Sequence, residues 1–138
     1  MAEALILDSE ALNAIANWSA RGALAGRARA ILAFALERRA RVRVPAPVLA
    51  EVCRGPKFDA AINHALKARG IIVDDLTESI ARNAGAILAR AKLASTHAVD
   101  AFVVATAAVY SSAVIATGDP SDLSALVSPY KHVRLFEI

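Results

Sequence analysis

The chain has 138 residues, 57% of them hydrophobic, and carries a formal net charge of +3 at pH 7. That length suits a single domain, 1–138, with a real core, and the excess of alanine points to close-packed helices rather than a bilayer span: the longest apolar run is broken by Asp100 and by Ser and Thr. One cysteine, Cys53, excludes an intramolecular disulfide, and an N-terminus without a basic stretch argues against a signal peptide, so a cytoplasmic protein is expected, with a mild basic balance that permits a polyanionic partner without requiring one.

In chain order, "ALIL" (4–7) reads as a buried strand ending at Asp8. A helix follows from Ser9, its expected N-cap, to about Trp18. Within 21–40, Leu24, Ala28, Ile31, Leu32 and Leu36 recur at helical spacing and are expected to face the core, with arginines on the solvated side. "RVRVP" is a second strand, and Pro47 suits the first position of a helix running to Gly55. A further helix ends at Gly70, "IIV" (71–73) is a third strand, and Thr77 caps a long helix. A buried helix from about Ala98 to Tyr110 precedes the strand "AVIAT", the turn "GDP", a short helix to about Val127 and the last strand "HVRLFEI". Strands alternating with helices predict an α/β domain with a mainly parallel sheet covered on both faces. In such sheets ligands bind beyond the carboxyl ends of the strands.

Four acids draw the eye on that scaffold. Asp8 ends the first strand, and Asp119 follows "AVIAT" by two residues. Glu51 is the only charge between Arg43 and Arg54, and Asp100 is the only charge between His97 and Asp119. Carboxylates gathered in apolar surroundings repel one another and resist burial. A divalent cation relieves both penalties, and oxygen-only ligation suits Mg²⁺ or Mn²⁺. Each acid has a plainer role to set beside this. Asp119 is also a good N-cap with Pro120 behind it, Asp122 a first-turn acid that favours the helix dipole, and Glu51 an ordinary helix glutamate. His64, His97 and His132 are scattered and read as structural or solvated, Cys53 as a small buried hydrophobe, and Trp18 and Phe34 as core or interface.

The segments "LILDSEAL", "PAPVLAEV", "HAVDAFVVATA" and "VIATGDPSDLSAL", in this order along the chain, resemble those of PIN-domain ribonucleases, and more narrowly of VapC-type toxins of toxin–antitoxin pairs. The resemblance implies a three-layer α/β/α fold with a five-stranded parallel sheet, metal-dependent RNA cleavage, a homodimer and a cognate antitoxin, with the early helices (9–39) contributing to the antitoxin's groove. It makes Asp8, Glu51, Asp100 and Asp119 the catalytic acids. Asp8, Asp100 and Asp119 are then the metal ligands, supported by Ser9, Thr117 and Asp122. Three alternatives stand against it. A haloacid-dehalogenase-like phosphatase wants an Asp where Glu10 stands. A phospho-receiver module could use Asp74 or Asp75 after the third strand. A PIN-like interaction domain would lack catalysis altogether.

Overall fold

In a computed structural model, residues 3–17, 19 and 22–138 are described. Trp18 and Arg21 lie outside them. The described residues form five strands, β1 (Ala4–Leu7), β2 (Arg41–Pro45), β3 (Ile72–Asp74), β4 (Ala113–Thr117) and β5 (Val133–Glu137). Seven α-helices connect them: α1 (Ser9–Ala16), α2 (Ala23–Glu37), α3 (Ala46–Val52), α4 (Pro56–Ala68), α5 (Glu78–Ala91), α6 (Ala98–Ala108) and α7 (Pro120–Val127). A 3₁₀ turn, Ser95–His97, leads into α6.

All neighbouring strands are parallel, in the order β3-β2-β1-β4-β5. The chain steps outward from β1 to β3, then returns to the other side of β1. Right-handed crossovers put the helices of those two halves on opposite faces of the sheet. The packing agrees: α1 contacts α2 and α4, while α6 contacts α5 and α7. The central strand β1 is buried along its whole length, as an all-apolar strand covered on both faces must be. β2 alternates, burying Val42 and Val44 and leaving its arginines less covered. The reversal of direction makes a topological switch point between β1 and β4, whose carboxyl ends lie side by side with Leu7 opposite Ala116.

Several local expectations shift. Asp8, not Ser9, caps α1: its side chain accepts from the Ala11 N–H at 2.9 Å, and Ser9 is the first helical residue. α3 starts at Ala46, one residue before Pro47, and ends at Val52. β3 is displaced by one residue and ends on Asp74, paired with Pro45. α4 does stop before Gly70, which takes the left-handed φ of +65° that glycine tolerates. The largest difference is in α2. Its buried line is Ala25, Ala28, Leu32 and Ala35, while Leu36 is 42% exposed and Phe34 53% exposed with the Arg38 guanidinium 5.2 Å from its ring centre. Alanines let α2 approach its neighbours closely, so three alanines with Leu32 form its inward stripe, while Phe34 and Leu36 lie toward solvent.

Candidate active site

The β1–β4 switch point opens into a cleft of about 210 Å³ lined by Asp8, Ser9, Glu10, Glu51, Val99, Asp100, Val103, Thr117, Asp119 and Asp122. All four sequence-marked acids and their three expected supporting residues are brought together there. Each arrives from a different element: Asp8 from the end of β1, Glu51 from the last turn of α3, Asp100 from the first turn of α6, and Asp119 from the residue preceding α7.

Fine geometry ties the cleft's members to one another. Thr117 is buried at the end of β4, and its Oγ1 accepts from the Asp119 N–H at 3.1 Å. The same hydroxyl faces the Asp8 carboxyl and opposes the rise of its pKa, so one side chain touches the chemistry of two acids. The Ser9 hydroxyl donates to Glu51 Oε1, joining α1 to α3. Asp119 stands at the N-cap position of α7 without a well-aligned cap bond; its firmest partner is the Ser121 hydroxyl, which donates to Oδ1 at 2.5 Å. That corrects the expectation of Asp119 as a capping side chain; the residue lines the cleft and is exposed.

Electrostatics separate the acids into two kinds. Burial pushes Asp8 up to about 6, against the bonds from Thr117 and Ala11, and the charges of Asp100 and Glu10 add to the rise. Asp100 is also raised, first by burial and then by Asp122, Glu51 and Asp119, with His97 opposing. The two half-buried acids thus feel the other four. Asp119 is exposed and held below the ordinary carboxylate range, chiefly by the Ser121 hydroxyl. Glu51 is exposed as well, so not every acid sits in the apolar surroundings its sequence neighbours suggest. Asp122, read as a dipole-favouring first-turn acid, lines the cleft itself and is the charge that most raises Asp100.

Glu10 is the cleft acid that the sequence pattern did not single out. Its stem lies across Gly118: a Cβ there would sit 2.3 Å from Glu10 Cγ. The signal was present as a glycine in the turn between β4 and Asp119, but only the fold shows that α1 crosses it.

The donor set consists of carboxylates with two hydroxyls, the chemistry that a hard divalent cation takes. Among the described residues, no three acidic, histidine or cysteine side chains are already drawn close enough to hold an ion. The residues fit the group by the chemistry of their donors and by their placement around one cleft.

The histidines fall elsewhere. His132 Nε2 lies 3.0 Å from the Ala108 carbonyl oxygen, and His97 borders the cleft only through its charge. Asp74, the acceptor a receiver module would use, instead takes the Tyr110 hydroxyl at 2.5 Å and pairs with Arg43 at 3.4 Å, which leaves it occupied in a structural network. Cys53 is half-buried against the core.

Comparison with protein families matches the PIN domain over residues 5–126, most of the chain. The chain belongs to the PIN-domain family. PIN domains are in general metal-dependent nucleases, which places the chain among hydrolases and displaces the phosphatase and receiver alternatives. No curated protein matches the chain significantly. Among the described residues, no helix is long and apolar enough to cross a membrane.

Proposed function

We propose that residues 1–138 act as one PIN-like endoribonuclease domain, the toxin of a VapC-type toxin–antitoxin pair, working in the cytoplasm with Mg²⁺ or Mn²⁺. The observation that carries this reading is the gathering of six acids around one cleft at the β1–β4 switch point. Asp8, Asp100 and Asp119 would hold the ion, with the Thr117 hydroxyl facing Asp8 and holding the backbone of Asp119. Glu51, steadied by the Ser9 hydroxyl, would orient the attacking water or help hold a second ion. Asp122 adds negative charge beside Asp100. A bound ion supplies a Lewis acid at the phosphate and a water of lowered pKa.

Without a cation, six carboxylates would repel an RNA phosphate. The net positive charge elsewhere on the chain would attract the rest of the strand, and binding should weaken with salt. A homodimer and a cognate antitoxin complete the proposal. Both would cover apolar surface such as Phe34, Leu36 and Phe136, all more than a third exposed. An antitoxin would inhibit most directly by placing a basic side chain among the acids.

The test expresses wild type and Asp8→Asn from one inducible vector and incubates both purified proteins with structured RNA and Mn²⁺ or EDTA. Wild type should halt growth and yield discrete fragments only with metal, and the variant should do neither. Equal harmlessness, with RNA left intact by wild type, would sink the nuclease reading in favour of a binding module.

A further inference from the structure

A second pocket, of about 230 Å³, lies at the opposite end of α1 from the cleft. Ile15 and Ala16 from α1, Arg29 from α2, and Ala61, His64, Ala65 and Arg69 from α4 and its end line it. Among the described residues its lining contains no carboxylate, and neither His64 nor Arg69 forms an ion pair.

Local structure explains why the three basic groups meet. Positions 61, 64, 65 and 69 fall on one face of α4 and its end, the face turned to α1. Arg29 is half-buried, and its Nη2 donates to the Ile15 carbonyl oxygen at 2.9 Å, in the last turn of α1. That bond satisfies a helix-end acceptor and fixes the guanidinium at the pocket's wall. Capping α1 needs only that one cation. Arg69 adds a positive charge and His64 an imidazole that the cap does not use, beside the alanines that line the pocket.

The geometry points to this pocket as a phosphate-binding subsite for the single-stranded RNA flanking the cleavage position. The inference rests on the nuclease reading above, because it assigns the pocket to that reaction's substrate. From Ser9, in the cleft, to Ile15, at the pocket, is six residues of helix, about 9 Å at 1.5 Å per residue. At about 3.4 Å per nucleotide along a stacked strand, that distance spans two to three nucleotides. The axial separation is thus short enough for one strand, curving round α1, to place its scissile phosphate among the acids and a neighbouring phosphate at Arg29, His64 and Arg69. Arginine suits the task, since its planar fork matches phosphate oxygens in pairs. The division of labour is also economical in charge: the cleft must stay acidic to hold a cation, so attraction for the polyanion has to come from outside it.

The experiment uses the full chain carrying Asp8→Asn, so that RNA stays intact, with a fluorescein-labelled 12-nucleotide single-stranded RNA followed by anisotropy over a series of NaCl concentrations. Adding Arg69→Gln or His64→Gln should weaken binding roughly three- to tenfold at low salt. Arg69→Gln should also flatten the slope of log K against log salt by about 0.7, the value for one lost contact to a single strand. Arg82→Gln, on an exposed pair away from the pocket, should change neither quantity. Unchanged affinity and slope in both pocket variants would overturn the subsite. So would variants that keep RNA binding but lose an acidic protein partner, which would make the pocket a protein-docking site. Either failure leaves the nuclease reading intact if wild type still cleaves RNA and Asp8→Asn does not.

Discussion

At the N-terminal end of α1 the chain gathers carboxylates: Asp8 at the cap, Glu10 in the first turn, and Glu51, Asp100, Asp119 and Asp122 from other elements. At the C-terminal end it gathers basic groups: Arg29, His64 and Arg69. Both placements agree with the helix dipole, which favours negative charge at its start and positive charge at its end. The dipole is too weak, at about 0.3–1 kcal/mol per charge, to explain either cluster. The difference lies in how each end handles its crowding. The basic end draws its groups from two helices, α2 and α4 with its cap, with alanines between them, and anchors one on a backbone carbonyl. The acidic end half-buries Asp8 and Asp100 within reach of the other carboxylates, so that burial first and neighbouring charge second make these two resist ionisation. A protein carries such a strained cluster where a ligand resolves it.

The largest effect should come from removing charge at the acidic end. Asp8→Asn and Asp100→Asn are each expected to lower the rate of RNA cleavage by about 10²–10³-fold, the usual cost of deleting an electrostatic contact to a transition state. Calorimetry should show Mn²⁺ affinity falling in both variants. At the other end of α1, Arg69→Gln should cost RNA affinity only several-fold. Losses of the same size at both ends would dissolve the contrast.

The next effect is on stability and carries a definite sign. Asp8 rises from 3.8 to about 6 on folding, so the folded protein holds its proton more tightly than the unfolded chain does. Its contribution to stability is therefore fully present below pH 3.8 and is lost as pH rises through 6. At about 1.4 kcal/mol per pH unit, the full swing is about 3 kcal/mol. In EDTA, urea unfolding of wild type should show a stability gain between pH 7 and pH 5, and Asp8→Asn should remove most of it. Asp119, whose carboxyl is lowered, acts in the opposite sense only below 3.8 and does not blur that window. Asp100, also raised, works with Asp8, so Asp100→Asn should raise the melting temperature in EDTA at pH 7. A lower melting temperature would mean that its carboxylate makes a stabilising bond.

Legibility differs between the two ends of α1 as sharply as their chemistry does. The acidic end could be read because its residues announce themselves locally: a lone charge in "HAVDAFVVATA", an acid closing "ALIL", another after "AVIAT". Strand ends in a parallel sheet share an edge, so those positions had to be near one another once the alternation was recognised. Glu10 escaped notice because its place depends on α1 crossing Gly118, a contact between residues far apart in sequence. The basic end was hidden for the same reason. Arg29 looked like one of a solvated arginine series and His64 like a scattered histidine, and only the packing of α1, α2 and α4 unites them. α2 misled because its alanines are as able to line a tight helix contact as its leucines, so periodicity alone did not fix which stripe faces inward.

The smallest predicted effect asks whether crowding at the acidic end is steric as well as electrostatic. Gly118 does not have a left-handed φ, so an alanine there can adopt the same backbone. The obstacle is the stem of Glu10, 2.3 Å from the Cβ position. Gly118→Ala should therefore force Glu10 aside and cost about 1–3 kcal/mol, as overpacking does. In a Glu10→Ala background the same change should cost much less, because of the obstructing stem only the Cβ, at 3.2 Å, remains. Glu10→Ala alone removes one of the charges that raise Asp8, and should slightly increase stability in EDTA at pH 7. Urea unfolding of the four proteins gives the coupling directly. An equal loss from Gly118→Ala in both backgrounds would show that the glycine serves the turn itself and not the passage of Glu10 across it.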